Sequence, residues 1–394
     1  MKRLVFSAAL LAAAACRGEA SPPPSQPLPP SALQHHEISA ATLPKPFATQ
    51  SAGNPPRVFA PPANWTPTVP PGFHIALFAG GISDPRNMIL GPSGEVIVAN
   101  SGDGDIVIVQ NGQKRTFVRG LDYPFGLALR GNMLYVGEES EVVRIPYPAG
   151  GAPIKVMSLP GGGHATRNVI FNRDGSKMYV AVGSASNVDR EAPPRAAITE
   201  ANPDGSGART FAWGLRNPVG LAWNQQTLWT TVNERDGLGE DLVPDYITDL
   251  RDGGFYGWPY AYIGQHEDPR RVGERRDLVA KAIVPSLLIQ SHSAPLGITF
   301  YNGSMFPAEY RGSAFVALHG SWNRAKRTGY KVIRVAFRDG KPAGGYDDFA
   351  IGWSTDENGR GVFGRPVGVL VMNDGSLLIS DDGRGVIWRV TYGK

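Results

Sequence analysis

The chain has 394 residues, enough for one large domain or two ordinary ones, and its 42% hydrophobic and 19% charged residues are ordinary for a globular protein. Its 39 basic residues are scattered among 35 acidic ones, with no basic run longer than pairs such as Arg270-Arg271 or Lys326-Arg327. The net charge of +4 therefore leaves no electrostatic footprint for nucleic acid, and the single cysteine, Cys16, excludes an intrachain disulfide or a cysteine-built metal centre.

The N-terminus carries targeting features. Met1-Lys2-Arg3 is a basic start, and Leu4 to Ala15 is an apolar run too short for a stable membrane span. Cys16 closes that run and resembles the lipidated cysteine of a bacterial lipoprotein signal, although Ala13 stands where leucine is more usual. An ordinary signal peptide cleaved nearby is the other reading. Both export the protein, so the expected location is the periplasm or cell envelope, with membrane attachment through a lipid on Cys16. Residues 17–69 read as an extended, disordered, proline-rich linker, as in Ser21-Pro22-Pro23-Pro24 and Pro27-Leu28-Pro29-Pro30. No later stretch is apolar enough to cross a bilayer.

From about Pro70 the texture changes. Short β-branched and aromatic runs recur, each entered by a Gly, Asn or Asp turn. Six units follow one another. They are 95–100 with 105–109, 133–136 with 141–145, 177–182, 227–232, 313–318 with 330–335, and 376–380 with 386–390. A lone hairpin is marginal in water, so such units must bury their faces on neighbours. Imperfect repetition without a convincing intervening helix points to an all-β fold, a six-bladed β-propeller over residues 70–394. His74–Phe78 is a spare strand that would pair with Val386–Val390 and close the ring. A seven-bladed ring with one degenerate blade is the alternative. The gaps 183–222 and 236–311 read as loops above the axial mouth.

Four groups of polar residues flank these runs. His164 follows Gly161-Gly162-Gly163, a loop that permits close backbone approach, and imidazole is a base tuned near neutral pH; a loop histidine bonded to a carbonyl is the plain alternative. Arg216-Asn217 stands at a turn before an apolar run, where a guanidinium offers donors to a carboxylate or a developing oxyanion, or simply fastens loops. Asn233 to Asp241, leading to Pro244-Asp245, is rich in oxygen donors suited to calcium, without EF-hand spacing, or is a solvated acidic loop. Ser291 to Ile298, His319 to Arg324 and Gly361 to Gly368 supply His292, His319 and Arg365. The histidines lack HxH or HExxH spacing, which argues against zinc.

In this order, Gly-Gly-Gly-His164, Arg216-Asn217-Pro218, Asn233 to Gly237, Tyr256-Gly257-Trp258-Pro259 and Arg365-Pro366 resemble the glucose/sorbosone dehydrogenase family. The segments His292 to Leu296 and His319 to Arg324 are closest to its sorbosone dehydrogenase-like and pyranose dehydrogenase branch. The resemblance covers about residues 70–392. It implies a six-bladed propeller that binds pyrroloquinoline quinone (PQQ) and calcium, oxidises a sugar or sugar-derived alcohol or aldehyde, and passes electrons to an external acceptor. His164 would be the general base and Arg216 would stabilise charge on the reduced quinone. Arg86, Arg216, Asn217, His292, His319 and Arg365 would face the cofactor, and Asp236 and Gly237 would serve the calcium. Two positions depart from the glucose-oxidising branch: Ser184 replaces an aspartate that assists sugar binding, and Phe363 replaces a second arginine. A calcium-dependent lactonase, or a non-catalytic propeller on the cell surface, is the competing expectation.

Overall fold

The computed structural model describes residues 33–355 and 359–393. The recurrent apolar runs form antiparallel sheets, and six of these, with four or five strands each, follow one another as blades around a common axis. Blade I comprises Pro85–Leu90, Val96–Asn100, Asp105–Gln110 and Gln113–Arg119; blade II comprises Gly126–Arg130, Met133–Gly137, Glu141–Pro146 and Ile154–Ser158. Blade III comprises Arg167–Phe171, Met178–Val182, Ala197–Ala201 and Arg209–Trp213, edged by Gly254–Phe255. Blade IV comprises Asn217–Asn224, Thr227–Asn233, Asp245–Asp249 and Leu287–Ile289. Blade V comprises Pro295–Phe300, Ala314–Leu318, Lys331–Val335 and Tyr346–Ala350. Blade VI comprises Pro366–Val371, Leu377–Asp381 and Val386–Tyr392, and its fourth strand is Phe73–Gly80 from the start of the propeller. That strand runs antiparallel to the last one, with Ile75 opposite Val390 and Leu77 opposite Trp388, so the ring closes as expected and the seven-bladed alternative falls.

The first strand of each blade lies innermost and meets the first strands of its neighbours. Five of these strands share a signature, the exception being Arg167–Phe171 of blade III. Tyr123-Pro-Phe-Gly-Leu127, Asn217-Pro-Val-Gly-Leu221, Ala294-Pro-Leu-Gly-Ile298 and Arg365-Pro-Val-Gly-Val369 repeat it, and Asp84-Pro-Arg-Asn-Met88 varies it. The glycine permits close approach at the crowded axis. A Cβ on Gly220 would lie 2.3 Å from the Leu296 carbonyl oxygen of blade V, and one on Gly368 would lie 2.5 Å from the Arg86 carbonyl oxygen of blade I. The proline sits where the ladder register shifts, between Pro218 and Leu221 for example, so its missing N–H breaks no regular pairing.

Two expectations need correction. The gaps 183–222 and 236–311 are not loops throughout: they contain the outer strands of blades III and IV and the innermost strands of blades IV and V. The linker expectation fails from residue 33 onward, while residues 1–32, including the signal and Cys16, lie outside the described residues. His35–His36 adds a fifth strand to blade V, Arg57–Val58 pairs with Gly361–Val362, and Trp65 is buried edge-on against Phe363 and Trp388 at 5.0 and 5.8 Å. Proline-rich chain can pack once sheet edges offer unpaired backbone groups and an aromatic pocket receives an indole. Among the described residues, no helix is long and apolar enough to cross a membrane.

Candidate active site

The innermost strands all begin at one end of the ring, so the residues entering them converge there. Arg86, Tyr123, His164, Arg216, His292 and Arg365, one from each blade, line a single cavity of about 380 Å³. Asn217, Asp236 and His319 line it too. Of the residues selected from sequence, Gly237 is the one not on this wall. Tyr123 and Asp382 had been passed over. The Pro-x-Gly repeat points to Tyr123, and the end of the Leu377 strand run points to Asp382.

His164 is set by its own loop. Gly163 has φ +75°, and a Cβ there would come within 2.3 Å of Ala185 Cα, so the tripeptide turn tolerates no side chain at that position. The backbone N–H of His164 donates to the Ser184 carbonyl at 3.0 Å, and its Nδ1 lies 2.7 Å from the same oxygen. A carbonyl can only accept, so the proton is on Nδ1 and the Nε2 lone pair is left available. Burial, reinforced by the Arg216 charge, pushes the imidazole pKa down to about 4, which keeps it neutral at ordinary pH. Arg167, fully buried, fastens the loop from beneath by donating to the carbonyls of His164, Thr166 (3.0 Å) and Pro160 (2.7 Å). Ser184, at one of the two departures noted from sequence, thus holds the imidazole through its main chain. Phe363, at the other, belongs to the aromatic core around Trp65.

Opposing charges build the wall beyond. Arg216 donates to the Glu234 carbonyl at 2.7 Å and to Asp236 Oδ2 at 3.0 Å, while its buried Nε has no partner among the described residues. Asp236 Oδ1 accepts from Asn323 Nδ2 at 2.6 Å and lies 3.4 Å from His292 Nδ1. Burial alone would raise the Asp236 pKa, but His292, Arg216 and Asn323 hold it below the usual carboxylate value. Burial acts the other way on His292, yet Asp236 and Asp245 keep its pKa above the usual imidazole value. Glu234 and Asp245 are fully enclosed carboxyls, each pushed up to about 7 by burial. Asp245 accepts the N–H groups of Glu234 and Ala294 at 2.9 and 2.8 Å, whereas Glu234 Oε1 and Asn217 Oδ1 are buried without a partner among the described residues.

On the remaining side Asp382 joins two blades. It takes Arg86 as an ion pair and lies 2.8 Å from His319 Nε2, and despite its burial these partners hold its carboxyl well below the usual range. Burial pushes His319 down to about 4. Arg365 donates to the carbonyls of His319 and Gly320 at 3.2 and 3.3 Å. Three guanidinium groups and the neutral imidazoles of His164 and His319 therefore surround one small space. Such a lining suits a flat anionic ligand and the removal of a proton beside it.

Sequence and structure comparisons agree with this architecture. Residues 67–247 and 272–393 match the TrAA12-like family model, and the chain belongs to that family. An uncharacterized protein of Borreliella burgdorferi is 28% identical over 350 residues, which is 83% of this chain and 91% of that protein. A pyrroloquinoline quinone-dependent pyranose dehydrogenase of Coprinopsis cinerea is 24% identical over 413 residues, 84% of this chain but 55% of that enzyme, so the chain spans little more than half of it. The holo PQQ domain of the Coprinopsis enzyme superposes with TM-score 0.72 at 22% identity, covering 84% of this chain and 98% of that one. The calcium structure of the Trichoderma reesei enzyme of carbohydrate-active family AA12 gives TM-score 0.72 at 20% identity, covering 86% and 98%.

Proposed function

We propose that this chain is a PQQ-dependent dehydrogenase that oxidises a sugar or a sugar-derived alcohol or aldehyde, with His164 as the general base and an external carrier as electron acceptor. The observation that carries the reading is His164 itself: neutral, fixed through Nδ1, and placed with Arg86, Arg216 and Arg365 around one cavity. PQQ is a planar polycarboxylate quinone, and the buried N–H groups of Arg86 Nε and Arg216 Nε, which lack partners among the described residues, fit such an anion. Calcium wants oxygen ligands. Glu234 Oε1 and Asn217 Oδ1 are buried and unpartnered beside the loop that carries Asp236 and Gly237. The carboxylate oxygens of Asp236 already serve Arg216 and Asn323, and its carbonyl accepts Asn187 Nδ2 at 2.9 Å, so Asp236 contributes chiefly by setting this loop.

When bound, PQQ supplies a hydride acceptor and calcium polarises it. The protein's own share is positional and electrostatic. His164 Nε2 takes the hydroxyl proton of the substrate, while Ser184 fixes the imidazole on its other side. Arg216 meets negative charge developing on the acceptor, and Asp236 holds its guanidinium in place. Arg86 and Arg365 receive cofactor carboxylates, with Asn217, His292 and His319 beside them. The same reading places the protein at the cell envelope, tethered through Cys16. A lactonase would have no use for the arginines or for His164.

Titrating purified apo-protein with PQQ and calcium, then following dye reduction on a panel of aldoses, tests the proposal. Calcium-dependent PQQ binding with dye reduction on at least one sugar is expected. Failure to bind PQQ overturns it, and binding without reduction on any sugar leaves a non-catalytic propeller.

A further inference from the structure

We infer that residues 47–55 form a strap over the rim of the cavity and that Thr49 and Asn54 are positioning residues for the site. The strap lies ahead of the residues that match the family model, which begin at 67. It touches the two rim loops that carry the Asp236–Asn323–His292 contacts. On the first loop, Phe47 N–H donates to the Leu238 carbonyl at 2.7 Å, Thr49 Oγ1 accepts from Glu240 N–H at 2.8 Å, and Ser51 Oγ accepts from Gly239 N–H at 3.3 Å. The approach is close: a Cβ on Gly239 would lie 2.8 Å from Thr49 Oγ1 and 2.9 Å from the Thr49 carbonyl oxygen. The opposite face of Gly239 is committed to the site, since its carbonyl accepts His292 Nε2–H at 3.1 Å.

On the second loop, Asn54 N–H donates to the Trp322 carbonyl at 2.7 Å and Asn54 Nδ2 to the Ala325 carbonyl at 3.1 Å. These two contacts bracket Asn323, whose amide holds both Asp236 and His292. The loops are also joined directly, by Ala325 N–H to Glu240 Oε1 at 2.8 Å and by an ion pair of Arg324 with Asp241. Contact thus runs from the strap through Gly239 and His292 to Asp236, and from Asp236 to Arg216. Trp322, 54% exposed on the cavity rim, rides on the same loop.

Asn54 is buried, but Phe47, Thr49, Ser51 and Gly53 are exposed. The strap therefore adds little apolar burial, and its grip is made of hydrogen bonds to loop backbone. Substitutions in it should loosen the rim and leave the propeller folded. The catalytic consequence rests on the dehydrogenase reading; the mechanical one does not.

The test uses Thr49→Val and Asn54→Ala in the full chain. Hydrogen–deuterium exchange of apo-protein should show amides in 236–242 and 319–328 opening about five- to tenfold faster, with blade II unchanged. In the loaded enzyme kcat should fall about tenfold while the sugar KM stays within about twofold, and Thr49→Ser, which keeps the hydroxyl, should restore wild-type values. Unchanged exchange in both loops overturns the strap whether or not the protein oxidises sugars. Faster exchange with an unmoved kcat overturns the positioning role.

Discussion

At the mouth of the ring, the residues that open the innermost strands are Arg86, Tyr123, His164, Arg216, His292 and Arg365. At the opposite end the same strands run out through Ile89, Leu129, Phe171, Trp223, Phe300 and Val371, around a cavity of about 810 Å³ against about 380 Å³ at the mouth. Among the described residues, the larger space has no histidine and no carboxylate on its wall. Cavity size therefore does not locate the chemistry. Convergence of charge does, because each ionised group at the mouth is desolvated and must be answered by another, as Asp236 answers Arg216 and Asp382 answers Arg86.

The contrast can be broken first at His164. Replacing it by Ala should lower kcat on the order of 100- to 10,000-fold, the usual contribution of a positioned general base, with PQQ affinity and melting temperature nearly unchanged. Unchanged turnover would remove the base. The far end should respond in the opposite manner. Leu127, buried in the core between blades I and II and lining the larger cavity, should cost about 2–5 kcal/mol of stability as Leu127→Ala, measured by denaturant unfolding, while kcat per folded molecule holds.

A smaller effect sharpens the electrostatic side. The pKa of His164 lies near 4, below the ordinary imidazole value, so an NMR titration of apo-protein should show its ring neutral from neutrality down to about pH 5 and protonated only below it. The sign for stability agrees. The unfolded chain binds this proton first, so stability declines as pH drops from the ordinary histidine range toward 4. Since the Arg216 charge helps hold the value down, Arg216→Gln should move the His164 titration upward, read by NMR on apo-protein. A His164 titration near 6.5, or no movement in the variant, would deny that the two groups share a field.

Much of this was legible as text. The second and third strands of the blades are continuous β-branched runs between turn residues, and they disclosed six units and the closing partnership of Phe73–Gly80 with Val386–Tyr392. The innermost strands were harder to see because they carry proline and glycine, ordinarily marks of interruption. Here those residues belong to a Pro-x-Gly repeat whose glycines admit the next blade's backbone. Overlooking that repeat hid Tyr123 and made parts of 183–222 and 236–311 look like loops. The segment after residue 33 was misread for a related reason. Its sequence is that of a linker, and its packing depends on sheet edges and an indole pocket supplied by residues far away in the chain.

What the sequence determined by itself was a set of short-range facts: strand periodicity, turn chemistry, a triglycine ahead of His164, and an ordered series of polar residues beside strand ends. Which of those residues face one another was decided only when the ring closed. Asp382 reaches Arg86 from 296 positions away and His319 from 63, and Thr49 in the strap reaches Glu240 from 191. Local preference acts over a few residues, whereas charge pairing, desolvation and the resulting pKa values depend on distances in space that no spacing in the chain encodes.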